Sequence, residues 1–184
     1  MAIKFGELKK YLSRVTRLSI RFRSGHYDNY MLVSDIPEGK YDDMYVFGVG
    51  MVDVEFPLDV YSTPKEFQQP LSFKDGLFLG AAIEVVVQEE PRGIERINDN
   101  ELTFGDLRNY LQLGRNFTIA RKEDWKEEYY ELRNAVPEEY DGMYVYGIGM
   151  EDNSDGLIRI IRAGFMDSHL AKNLKIVVSE SPRE

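Results

Sequence analysis

Thirty-two carboxylates, two histidines and no cysteine set the chemistry open to this 184-residue chain. Without thiols, disulfide scaffolds, thiolate zinc sites, iron–sulfur clusters and cysteine nucleophiles are excluded. His26 lies beside Ser24, Gly25 and Asp28 in a stretch that reads as a hairpin turn, and His169 follows Asp167 and Ser168. Neither stands in a nucleophile–base arrangement. General acid–base work would then fall to paired carboxylates, with Asp42, Asp43 and Asp141 as candidates in segments that read more simply as solvated turns. Glu151, Asn153, Asp155 and Gly156 take positions 1, 3, 5 and 6 of a calcium loop, but Arg162 stands at the twelfth, where a bidentate glutamate is required. A polar loop is expected there, with no metal and no cofactor. Gly48 and Gly50, like Gly147 and Gly149, lack the third glycine and the lysine–serine pair of a phosphate loop. Their spacing of two places each pair on one strand face, where something packs closely, such as the helix.

Two surfaces carry binding chemistry instead. Asp42, Asp43, Asp53 and Glu55 lie on or near one long strand, and Glu138, Glu139 and Asp141 lie at the matching place later in the chain. Tyrosines are interleaved with them, Tyr45 and Tyr144 among them. Carboxylates spaced along strands can imitate the phosphates of nucleic acid, and tyrosines make flat anchors of low conformational entropy. The second surface is basic. Residues 1–24 carry Lys4, Lys9, Lys10, Arg14, Arg17, Arg21 and Arg23 against one acid, Glu7. Arg17, Arg21 and Arg23 share a strand face, which suits either phosphate or acid binding or pairing with carboxylates on a neighbouring strand.

These residues sit on a repeated framework. FGELKKYL (5–12) matches FGDLRNYL (104–111), YDDMYVFGVGM (41–51) matches YDGMYVYGIGM (140–150), and AIEVVVQEEP (82–91) matches NLKIVVSESP (173–182). Three matches in one order mark an internal duplication with units 1–98 and 99–184, too few copies for a solenoid. Each unit reads as a short amphipathic helix, with Phe5, Leu8 and Leu12 or Phe104, Leu107 and Leu111 on one face. Thr103 and Asp106 have the spacing of a variant capping box. Strands follow at 17–23, 30–35, 44–56 and 83–88, with counterparts at 129–133, 143–150 and 174–179 in the second unit. Consecutive strands with tight turns predict an antiparallel meander. The expected fold is α+β, two tandem copies of a helix-plus-four-strand antiparallel unit.

The net charge of −9 disfavours adhesion to nucleic acid over the whole surface and favours a basic partner, although it also serves solubility. The N-terminus has no apolar signal-peptide core and no apolar run is long enough to span a bilayer, so a cytoplasmic protein without membrane contact is expected. A short leading helix, a strand, a D-I-P-E or V-P-E-E segment (35–38, 136–139) and a further strand resemble small proteins of phages and mobile elements of Firmicutes. The resemblance implies an anti-defence role such as anti-CRISPR inhibition in a bacterial host, and it carries over no functional positions. The expected function is non-enzymatic: an acidic protein that occupies the basic groove of a nuclease or CRISPR effector. The alternatives are a nucleic-acid binder using the N-terminal basic strand, and a carboxylate-dependent enzyme.

Overall fold

The computed structural model describes residues 2–57, 77–94, 96, 98, 100–112, 117–152 and 172–183; the side chains of 53, 55–57, 77–80 and 152 fall outside this description. The first unit runs α1 (Phe5–Lys9), β1 (Leu18–Phe22), β2 (Tyr27–Tyr30), a 3-10 turn (Val33–Asp35), β3 (Tyr45–Pro57) and β4 (Leu77–Gln88). The second runs α2 (Phe104–Arg108), β5 (Phe117–Arg121), β6 (Glu127–Tyr130), two 3-10 turns (Arg133–Ala135, Glu138–Tyr140), β7 (Tyr144–Asp152) and β8 (Lys172–Ser179). The molecule is thus α+β, with a short helix and a four-stranded sheet in each half.

Each helix is a five-residue element that buries its first and fourth apolar positions, Phe5 with Leu8 and Phe104 with Leu107. The Thr103 hydroxyl oxygen accepts from Asp106 N–H at 3.2 Å while the Asp106 carboxylate accepts from Thr103 N–H at 3.2 Å. That reciprocal cap is what the Thr-x-x-Asp spacing predicts. Lys4 holds the equivalent place before α1 and makes no side-chain cap.

The sheets are mixed, which corrects the expected antiparallel meander. The strand orders are β2-β1-β4-β3 and β6-β5-β8-β7. The β1/β4 and β5/β8 pairs are parallel, and the outer pairs are antiparallel. Each sheet is therefore two hairpin-like pairs laid side by side. The cause is the apolar run of the last strand: Ala81, Ala82, Ile83, Val85, Val86 and Val87 are all buried. Such a run, broken only by Glu84, which is itself buried, belongs in the centre of a sheet, covered on both faces, and would be ill placed at an edge. The second strand of each unit also falls earlier than the sequence reading placed it. The register Arg21↔Tyr27 starts β2 at Tyr27, and residues 33–35 tighten into a 3-10 turn instead of extending.

The segment after each helix crosses to the other unit. Leu12 bridges Ile148 of β7, where Ile148 N–H donates to the Tyr11 carbonyl (2.7 Å) and Ser13 N–H to the Ile148 carbonyl (2.8 Å). Reciprocally, Leu111 bridges Val49 of β3, through Val49 N–H to the Tyr110 carbonyl (2.7 Å) and Gln112 N–H to the Val49 carbonyl (2.9 Å). Leu102 N–H donates to the Tyr11 hydroxyl at 3.3 Å, and Ile3 N–H to the Tyr110 hydroxyl at 3.4 Å. The exchange covers the outer edges of β3 and β7, which would otherwise present unpaired backbone groups. It also explains the glycine pairs. The close neighbour of Gly48 and Gly50 is Gln112, and that of Gly149 is Ser13, so the crossing segment, not a helix, lies on them. One contiguous apolar core results, with Phe5, Leu8, Tyr11 and Leu12 packed in the same cluster as Phe104, Leu107, Tyr110 and Leu111.

Candidate binding surfaces

Of the acidic residues singled out by sequence, Asp42 and Asp141 are placed at helix starts. Gly6 N–H donates to the Asp42 carbonyl and Gly105 N–H to the Asp141 carbonyl. Asp42 is half-buried, with Gly6 packed so tightly on it that an added Cβ would stand 2.8 Å from the Asp42 Cβ. Asp43 is exposed and pairs with Lys4 at 2.9 Å. Asp141 pairs with Arg108 at 2.6 Å, and the same guanidinium donates to the carbonyls of Arg133, Val136 and Pro137. Glu138 and Glu139 are exposed in a 3-10 turn, and Tyr45 and Tyr144 are half-buried at matching starts of β3 and β7. Asp53 and Glu55 pair through their backbones with Ala81 and Leu79, and their side chains lie outside the described residues. So do Asn153, Asp155 and Gly156 of the calcium-loop pattern, and His169. No group of three or more histidines and carboxylates among the described residues could hold a metal ion, and none of the described helices is long and apolar enough to cross a membrane.

The basic strip is divided by the fold. Arg17 precedes β1, and its burial pushes its guanidinium below the ordinary value. Arg21 Nε donates to buried Glu84 on the adjacent strand at 2.7 Å, and Gln112 Nε2 donates to the other carboxylate oxygen at 2.5 Å. Arg23 reaches Gln88 at 3.2 Å and stacks 4.6 Å from the Phe47 ring, whose centroid also lies 4.8 Å from Arg92. Arg21, Arg23 and Arg92 line a cleft of about 330 Å³ with Arg133 and the crossing segment 109–112.

The two units also share a carboxylate–tyrosine cluster. Asp28 accepts from Tyr41 and Lys40, with His26 Nε2 3.3 Å away, and the hydrogen bond from Tyr41 contributes most to holding its carboxyl below the usual range. In the second unit Glu128 accepts from Lys126 (2.6 Å) and Tyr130 (2.5 Å), the lysine being the larger cause of a pKa lowered to about 2. Burial in turn pushes the Tyr130 hydroxyl up. A carboxyl that is more acidic in the folded state stabilises fully above its unfolded value of 4.5, and that stability drains as pH falls toward 2. The melting temperature should therefore fall across this window, and Glu128→Gln should flatten the fall. Parallel pH profiles for the two proteins would show that the cluster contributes nothing.

Sequence reading passed over one feature, the tip of the β5–β6 hairpin. Arg21 and Tyr27, the last pair of the first hairpin, enclose 22–26, whereas Ala120 and Glu127 enclose 121–126, one residue more. Within the longer turn stands Trp125, the only tryptophan of the chain, 63% exposed and with φ of 54°. Left-handed backbone is unfavourable for a bulky side chain. Glu123, Asp124 and Glu127 flank it, and Tyr129 and Leu132 are also exposed. The Glu123 carboxylate is fixed by Ser179 Oγ–H and Glu180 N–H, each at 2.8 Å. A lone tryptophan in a densely charged turn, one residue longer than its repeat, was the available signal. The chain matches no family model, and comparison with curated proteins and with solved structures found no match.

Proposed function

We propose that the protein is a non-enzymatic binding module that docks the acidic, aromatic β5–β6 end of its second unit onto a basic partner, such as the nucleic-acid groove of a nuclease or CRISPR effector. Trp125 carries this reading: an exposed ring, held in unfavourable backbone, on a hairpin whose residues 122–131 carry Glu123, Asp124, Glu127, Glu128 and Glu131 against Lys122 and Lys126. Tryptophan dominates interface hot spots, and surrounding carboxylates steer a cationic partner. The acidic net charge of −9 acts in the same sense over longer range. The duplicated framework is then a scaffold in which one unit has specialised, and the working compartment is the cytoplasm of a bacterial host. Inhibition of a panel of purified nucleases and CRISPR effectors, assayed by substrate cleavage at low salt, tests the proposal. An inhibited enzyme should lose roughly 30-fold or more in affinity with Trp125→Ala, the cost of a hot-spot residue. Failure to inhibit any basic nucleic-acid enzyme, or inhibition indifferent to Trp125→Ala, rejects it.

A further inference from the structure

The crossing segments roof two equivalent clefts whose cations are employed differently. In the cleft beside Phe47 every arginine is engaged by the protein: Arg21 by Glu84, Arg23 by Gln88, Arg92 by the carbonyls of Phe47 and Asn109, and Arg133 by those of Asn109 and Leu111. The equivalent cleft beside Tyr146, about 730 Å³, lies beneath the segment running from Lys9 to Arg14. Its clasp is the same, since Arg183 donates to the Lys10 carbonyl (2.6 Å) and lies over Tyr146 as Arg92 lies over Phe47. Its charges are not. Lys175 pairs with Gly149 in the register where Glu84 pairs with Gly50, so a cation, itself held by Glu127 and Glu151, replaces the carboxylate that neutralises the first cleft. Lys9, Lys10 and Arg14 line the space, and no carboxylate among the described residues lies within ion-pair distance of them. Among the described residues no carboxylate lines the cleft, in a protein of net charge −9.

We infer that the cleft beside Tyr146 binds a small phosphorylated ligand of nucleotide size, with Lys9, Lys10 and Arg14 holding the phosphates and Ser13 and Ser34 supplying further donors. Several ammonium and guanidinium groups lining one space suit a multiply charged phosphate. The volume is that of a ligand pocket and exceeds what a single phosphate fills. This site does not include Trp125, although Lys175 at its wall pairs with Glu127 of that hairpin.

Binding of inorganic tripolyphosphate and of ATP to the full chain at low salt, by titration calorimetry and thermal shift, tests the inference. Expected is saturable binding of at least one probe, weakened roughly tenfold or more by Lys10→Glu/Arg14→Glu through lost charge-assisted hydrogen bonds, and unchanged by Arg23→Glu in the other cleft. Lys9→Gln/Lys10→Gln repeats the comparison should the reversal unfold the protein. Tripolyphosphate alone binding would identify the phosphates as the whole determinant, and tighter ATP binding would add the nucleoside; both support the site. It is overturned if neither probe binds at millimolar concentration, if the cleft variants bind as the wild type does, or if only a single-stranded oligonucleotide is retained.

Discussion

Arg96→Met is expected to destabilise the protein by about 3–5 kcal/mol, the cost of removing one partner from a buried ion pair. Arg96 lies in the connection between the units, and its side chain is only 4% exposed. Its Nη1 donates to Glu7 of α1 at 2.6 Å, and its Nε stands 3.9 Å from the fully buried Asp106 carboxylate of α2. One guanidinium thus joins the first turns of both helices. Asp106 cannot retreat to solvent, because its oxygen Oδ2 also accepts from the Thr103 hydroxyl (2.8 Å) and backbone in the cap of α2. Methionine fills similar volume but leaves two carboxylates facing each other without a cation. Denaturant unfolding of the variant checks the magnitude. Adding Glu7→Gln to Arg96→Met should recover part of the loss, since less unpaired charge then remains. A loss below about 1 kcal/mol, the level of an exposed pair, would show that solvent takes over the role of the guanidinium.

The repeat itself was legible because packing holds its residues in register: Phe5 with Phe104, Leu8 with Leu107, Gly48 with Gly147. The cap of α2 was legible because it is local, four residues with defined side-chain reach. Strand order was not. Reading turns one after another assumes that strands adjacent in sequence are adjacent in the sheet, and the parallel β1/β4 contact joins residues such as Ile20 and Val85, far apart in the chain. The stretch 81–87 of β4, apolar but for Glu84, was the clue that it is central. The crossing of residues 11–13 and 110–112 leaves no mark in the sequence for a physical reason. Val49 and Ile148 are equivalent positions on equivalent strand edges, so Leu12 meets the same kind of partner whether it stays or crosses. The basic excess near the N-terminus was visible. The crossing divides it, directing Lys9, Lys10 and Arg14 to the second unit while Arg21 and Arg23 stay with the first. Arg96 was unreadable because nothing in a polar linker announces a buried guanidinium.

Residues 1–98 expressed alone are expected not to persist as a folded monomer but to form a homodimer. In the intact chain Tyr11 and Leu12 are buried against the second unit, and the outer edge of β3 is covered by residues 110–112 of that unit. Cutting the chain uncovers all of these at once. Each large apolar side chain returned to water forfeits about 1.5–3 kcal/mol, and the strand edge opens to pairing with any available segment. A second copy of the same half supplies the missing parts, because its own residues 11–13 can take the place of 110–112 and meet Val49 as they meet Ile148. This is domain swapping in which the two exchanging partners have been fused into one chain. Light scattering on the isolated half should report a dimer that dissociates and unfolds together on dilution. Adding residues 99–184 should convert it to a heterodimer, whose β5–β6 hairpin with Trp125 restores whatever partner binding the intact protein has. A monomeric half that melts cooperatively near the temperature of the full chain would show instead that each unit folds on its own, and that the crossing segments only decorate two finished domains.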